Sequence, residues 1–230
     1  MKKTTLIISL LAAFALNVSA QSRTNVYGLK LGPTLNWVTT ASDVGKNNGT
    51  RLGFGASIFV DHYFSHHLAV SSGLTYNTFG LKYQFADYRH VTDFLEATVI
   101  DVDRKYKGSC VELPVKLKVN FDVVDSWKAF AEGGVAIALN LTAKAKDEFN
   151  YYGITHSDTD YHDVSDQYRL FQFALRFGLG AEYELNSKLS VFAQLSYGHG
   201  LTNMFTGVLE KQTGSNLKSN FIGLEIGALY

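Results

Sequence analysis

Between Phe171 and Leu185 the chain reads FQFALRFGLGAEYEL, and every second residue is apolar: Phe171, Phe173, Leu175, Phe177, Leu179, Ala181, Tyr183 and Leu185. A period of two sends successive side chains to opposite faces of a β-strand. Eight segments alternate in this way or nearly so, at roughly 25–38, 51–61, 68–83, 109–120, 127–141, 168–185, 189–203 and 219–230. The connections 61–67, 121–127 and 186–188 are short, whereas 39–50, 84–108, 143–167 and 204–217 are longer and polar. Short and long connections alternate strictly. In an up-and-down barrel this gathers every short turn, with both termini, at one end and every long loop at the other, the asymmetry of outer-membrane barrels.

The two faces of these segments differ in kind. One collects Leu29, Leu31, Leu35, Trp37, Leu52, Phe54, Ile58, Val111 to Val119 at odd positions, Val135, Ile137, Leu139, Leu141, Val191, Leu195, Ile222, Leu224, Ile226 and Tyr230. The other holds Lys30, Glu112, Lys116, Lys118, Glu132, Arg176, Glu182 and Glu225 among many Gly, Ser, Thr and Asn residues. The outside of a soluble barrel would carry long solvated side chains throughout. Small side chains with a few charges suit the lumen of a narrow barrel instead. The apolar face is therefore expected to meet lipid, with a secreted lipocalin-like barrel, apolar face inward, as the alternative. The four cations and four carboxylates of the polar face predict a closed internal salt-bridge network that fills the lumen. Pro114 lacks the N–H a closed ladder needs, so it is expected at the first membrane-embedded position or at a bulge.

Composition agrees. The 230 residues, enough for one β-domain, include 20 Gly, 13 Tyr and 16 Phe but only 2 Pro, and mean hydropathy is −0.02. The N-terminus changes the picture further. Lys2 and Lys3 precede the apolar run LIISLLAAFAL, and Val18-Ser19-Ala20 places small residues where a signal peptidase cuts. Residues 1–20 read as a cleavable signal peptide and 21–230 as the barrel domain. The mature chain would hold 19 basic against 21 acidic residues, which offers no electrostatic case for nucleic acid. No apolar run of membrane-helix length follows residue 20.

Several stretches resemble the outer-membrane β-barrel domain common in Bacteroidota, the PorT-like family of small OmpA/OmpX-type barrels. They are CVELPVKLKVNF (110–121), AFAEGGVAIAL (129–139), FGLGAEYEL (177–185), LSVFAQLSYGHGLTNM (189–204) and FIGLEIGALY (221–230). The resemblance implies an eight-stranded antiparallel up-and-down transmembrane barrel in the outer membrane. It supplies no catalytic residues.

Candidate chemistry is sparse. His62, His66 and His67 beside Asp61 could share a metal only if their turn curled helically, and a polar periplasmic turn is the plainer reading. The loop 155–167 clusters His156, Asp158, Asp160, His162, Asp163 and Asp166, a set with oxygen ligands for Ca²⁺ but without the glycine of an EF-hand loop. Ser157 beside His156 is a weak hint of nucleophilic catalysis. Cys110, the single cysteine, reads as a small lumenal residue. The sequence thus predicts no catalytic, cofactor-binding or metal residues. It points to a non-enzymatic integral outer-membrane protein with extracellular loops as its interaction surface, and with membrane lipid, the barrel assembly machinery (through the C-terminal strand) and an unidentified loop partner as its contacts. A small-solute channel and an outer-membrane enzyme acting on lipid or peptide are the alternatives.

Overall fold

A computed structural model describes residues 25–40, 45–89, 98–151, 154–206 and 217–230. The expected signal peptide lies outside the described residues. Eight long strands form the wall: β1 Asn25–Thr39, β2 Arg51–Tyr63, β3 Leu68–Arg89, β4 Thr98–Val124, β5 Trp127–Tyr151, β6 Phe171–Asn186, β7 Leu189–Gly200 and β8 Lys218–Leu229. Each pairs antiparallel with the next, and β8 pairs antiparallel with β1, so the sheet closes on itself. This is the up-and-down barrel that the alternation predicts.

The expected face is outward. In β6 the alternating apolar residues Phe171, Phe173, Phe177, Leu179, Tyr183 and Leu185 are all exposed. Leu52, Ile58, Leu224 and Ile226 on other strands are 60 % exposed or more. Soluble monomers rarely expose contiguous apolar surface on this scale. Aromatic residues mark its rims, with Trp127 against Tyr183 (ring centroids 4.9 Å apart) at the short-turn end and Trp37 against Tyr197 (6.4 Å) at the other. The short turns are tight. Asp125 and Ser126 turn β4 into β5 with Asp125 at φ 32°, a conformation aspartate tolerates. The Asn186 side chain caps the β6–β7 turn by accepting from the Lys188 and Leu189 amides at 2.9 and 3.0 Å.

Three expectations need correction. First, 84–108 and 143–167 are not simply polar loops. The last β2–β3 pair is Phe54 with Thr78, but the β3–β4 ladder continues to Arg89 opposite Thr98. Those eleven further pairs carry the sheet about 35 Å past the barrel rim at the usual rise per residue. β5 follows β4 as far as Phe149 opposite Val102. The segment reads as polar because its outward positions are charged, while Val102 and Tyr106 alternate inward and are buried.

Second, Leu141 does not lie on a continuous apolar face. The β4–β5 register shifts between Ser109 and Cys110, leaving Leu141 as the unpaired residue of a bulge. Even positions of β5 face inward below it (Ala136, Ala138, Asn140) and odd positions above it (Ala143, Ala145, Asp147).

Third, Pro114 is neither at a bulge nor at the strand start. It sits mid-strand, opposite Ala136 on β5, and the β3–β4 ladder is interrupted beside it, resuming at Ser72–Val115 and Thr75–Glu112. The Ser72 hydroxyl donates to the Pro114 carbonyl at 2.9 Å, supplying one bond across the gap. The other proline behaves alike. Pro33 pairs with Phe54 on β2 while the β1–β8 ladder skips from Leu31–Ile226 to Thr34–Gly223. Both prolines are accommodated by dropping ladder bonds on one side without changing register.

Candidate functional site

The interior is built in tiers. At the short-turn end an open vestibule of about 800 Å³ is lined by residues including Tyr63, His66, Asn120, Lys128 and Glu182. Above it stand three phenylalanines, with Phe59 and Phe192 6.0 Å and Phe130 and Phe192 5.8 Å apart, both edge to face. Each ring lies over a glycine, Phe59 on Gly28, Phe130 on Gly180 and Phe192 on Gly227, where a β-carbon would come within 2.4 Å of the ring. Glycine in the wall is what lets a ring lie flat against it.

The predicted charges face inward but fall into three paired groups rather than one network. Lys30 donates to Glu225 at 2.8 Å, Lys116 to Glu132 at 2.5 Å, and Gln194 bridges Glu132 and Glu225 at 2.9 Å each. Arg176 Nε donates to Glu112 at 2.7 Å while Nη2 takes the other carboxylate oxygen. Gly178 leaves room for the Glu132–Gln194 contact, since a β-carbon there would lie 2.7 Å from the Glu132 side chain. Lys118 finds a partner the sequence reading placed elsewhere. Asp61, assigned to a turn, is the fully buried acceptor of Lys118 at 2.7 Å. Lys118 also lies 3.9 Å from Glu182. Among the described residues, these groups hold five carboxylates to four cations. Asp61 and the three phenylalanines were legible by parity, since each occupies an inward position between outward-facing neighbours. The cavity beside this tier is about 20 Å³, room for one water.

A further chamber of about 50 Å³, lined by Asn77, Cys110, Glu112, Asn140, Arg176 and Asn220 among others, lies beneath the far rim. Over it sits a second hydrophobic core, outside the barrel proper. Leu81, Tyr83 and Phe85 of β3, Val102 and Tyr106 of β4, and Ala143 and Ala145 of β5 pack against Val38, Val164, Tyr168, Met204, Phe205 and Leu217. Tyr168 meets Phe205 edge to face at 5.1 Å, and Tyr106 lies 5.2 Å from Phe205. Backbone bonds from Arg169 to Met204 and from Met204 to Leu217, both 2.8 Å, tie the long connections together. Burial pushes the Tyr106 hydroxyl up to about 12 and Tyr168 well above the usual range. Arg104 bonds Asp147 through two nitrogens and lies over the Phe85 ring. The described parts of the long connections thus pack into a head above the barrel.

The candidate reactive residues are dispersed. His62 pairs with Asn25 at 2.7 Å, while His66 and His67 face Asp122 at 3.9 and 3.4 Å. His156 stacks on Phe149, and Ser157 donates to the Asp158 carbonyl rather than to a histidine. Asp158 accepts from the Asp147 amide at 2.9 Å and lies 3.7 Å from His162; Asp163 accepts from the Ser165 amide. Among the described residues no three His, Cys, Asp or Glu side chains converge as metal ligands would. Cys110 is buried.

No curated protein matches the chain. Among solved structures, the Neisserial surface protein A (NspA) aligns at 10% identity over 90% of this chain and 98% of its own, with a TM-score of 0.43. Ail of Yersinia pestis, in complex with the heparin analogue sucrose octasulfate, aligns at 14% over 90% and 99%, with a TM-score of 0.37. The N-terminal β-barrel domain of Pseudomonas aeruginosa OprF aligns at 9% over 91% and 100%, with a TM-score of 0.38. The assignment rests on a family model, "Outer membrane protein beta-barrel domain", that matches residues 19–206. With the closed eight-stranded wall and its apolar girdle, this identifies the chain as a member of the outer membrane protein beta-barrel domain family and an integral protein of the outer membrane.

Proposed function

We propose that this protein is a non-enzymatic surface scaffold: a sealed barrel that anchors a rigid extracellular head, with the head as the binding surface for a partner. The observation that carries this reading is the second hydrophobic core. Loops that only connect strands need no core of their own. Burying Tyr106, Phe205 and Leu217 to 2 % exposure or less outside the barrel fixes one shape, and a fixed shape binds without the entropy cost of ordering loops. The tiered lumen speaks against the small-solute channel, and the dispersal of His156, Ser157 and Asp158 speaks against an enzyme of the serine type. Export is read as cleavage after Ala20, which the mass of the membrane-extracted protein tests: Gln21 should lead the mature chain.

The partner reading is tested by affinity capture with the intact protein in outer-membrane vesicles, comparing wild type with Phe205→Ser. Loss of the ring should loosen the head while the barrel keeps its heat-modifiable gel mobility. Capture of the same partner at equal yield by both forms would contradict a role for the ordered head.

A further inference from the structure

The outer face of the projecting sheet carries charge in rows. Lys82 of β3 stands directly opposite Lys105 of β4, which stands opposite Lys146 of β5. One step nearer the barrel, Lys107 stands opposite Lys144. One step farther out, Asp103 stands opposite Glu148. Like charges directly across a ladder are destabilising, and a sheet stabilised for its own sake would mix the signs within each row. Some of the lysine charge is met internally: Lys105 pairs with Glu148, Lys107 lies 3.8 Å from the Tyr161 ring centre, and Lys146 donates to the Thr159 carbonyl. Lys82 and Lys144 make no ion pair with a described residue.

The height of these rows gives them a meaning. Along β4 the outward positions change from Val111 to Ser109, then to Lys107 and Lys105, then to Asp103 and Asp101. The lysines therefore begin two outward positions above the last apolar residue of the strand, with Ser109 between. Lys107 lies four residues past Val111, about 13 Å along the strand and about 10 Å above the apolar edge once strand tilt is included. A lysine stem reaches several more ångströms toward either side by snorkelling. The Lys82–Lys105–Lys146 row lies two residues farther out, about 15 Å above the apolar edge, so the two rows together span the headgroup layer and the first sugars above it. The acidic row sits beyond, where it would repel anions approaching from solution.

We propose that the lysine band, Lys82, Lys105, Lys107, Lys144 and Lys146, seats the phosphate groups of a phosphorylated glycolipid of the outer leaflet, fixing the depth of the barrel in its membrane. Two features select lipid over a soluble polyanion: a place one small polar row above the lipid-facing girdle, and the acidic row on the solvent side. This inference rests on the outer-membrane location and is independent of the partner reading.

The test reconstitutes wild type and a variant with all five lysines changed to Gln into phosphatidylcholine vesicles containing diphosphorylated lipid A, followed by extraction in mild detergent and measurement of the lipid A retained. Each lysine near an anionic surface is worth about fivefold in partitioning, so the variant should retain at least about tenfold less, and dephosphorylated lipid A should be retained poorly by both. Relief of like-charge repulsion favours folding of the variant. Should it nonetheless misfold, the pair Lys82→Gln/Lys144→Gln, which breaks no described ion pair, is expected to lower retention severalfold. A heparin-binding arm separates the soluble source. Equal retention by wild type and variant, retention indifferent to the phosphates, or a variant that loses heparin binding while keeping its lipid A would each overturn the proposal.

Discussion

Tyr27 and Tyr230 exchange both backbone hydrogen bonds, the Tyr27 amide donating to the Tyr230 carbonyl at 2.9 Å and the Tyr230 amide to the Tyr27 carbonyl at 2.7 Å. Tyr230 thus closes the barrel seam at the short-turn end and is itself 71% exposed. We propose that assembly machinery reads this strand end. Deleting Tyr230 should reduce the outer-membrane yield and leave more protein in the unfolded, heat-insensitive gel band. Unchanged yield and unchanged gel mobility would exclude a role for the residue in assembly.

The Arg176–Glu112 pair reaches past β5, from β6 to β4, and both groups are nearly buried. Arg176→Leu leaves Glu112 without its partner, and breaking a buried pair from one side costs about 3–5 kcal/mol. Changing Glu112 to Leu as well should restore much of that loss, because the uncompensated charge goes too. Denaturant unfolding of the three refolded variants in lipid vesicles measures this. A double variant as unstable as Arg176→Leu alone would show that the pair does not act as a unit.

Leu179 is 65% exposed at the centre of the outward face of β6. Leu179→Arg should cost about 2–4 kcal/mol, the price of a charge near the bilayer midplane. Leu179→Phe should be nearly silent, because no packed core has to absorb its volume. In a barrel with the apolar face inward the same enlargement would cost about 1–3 kcal/mol. Unfolding midpoints in lipid decide between the two orientations, and a strongly destabilised Leu179→Phe would contradict the outward one.

How much of this was legible in the sequence depends on what each signal reports. Period-two alternation names the wall, because one face must be apolar and the other small. It named the lumenal charges for the same reason, down to Arg176 and Glu112. It missed Asp61 because a carboxylate beside His62, His66 and His67 looks like a turn, whereas β2 extends to Tyr63. The head was hidden by the same logic in reverse. Outside the bilayer the outward face is polar, so 101–108 looks like a loop although Val102 and Tyr106 alternate inward as regularly as the wall does. The packing of Met204, Phe205 and Leu217 onto that face depends on contacts distant in sequence, which no local pattern carries. The tolerance of Pro114 belongs to the same class, since it depends on a ladder gap in β3 that Ser72 bridges.

The phenylalanine tier, the paired lumenal charges and the head above predict a barrel that does not conduct. Planar-bilayer recording of the purified full-length protein tests it directly. Wild type should give no sustained single-channel steps, at any polarity, in preparations whose gel mobility shows folded barrel. Regular ohmic steps from the folded wild-type protein would contradict the sealed lumen and make the channel reading the better one.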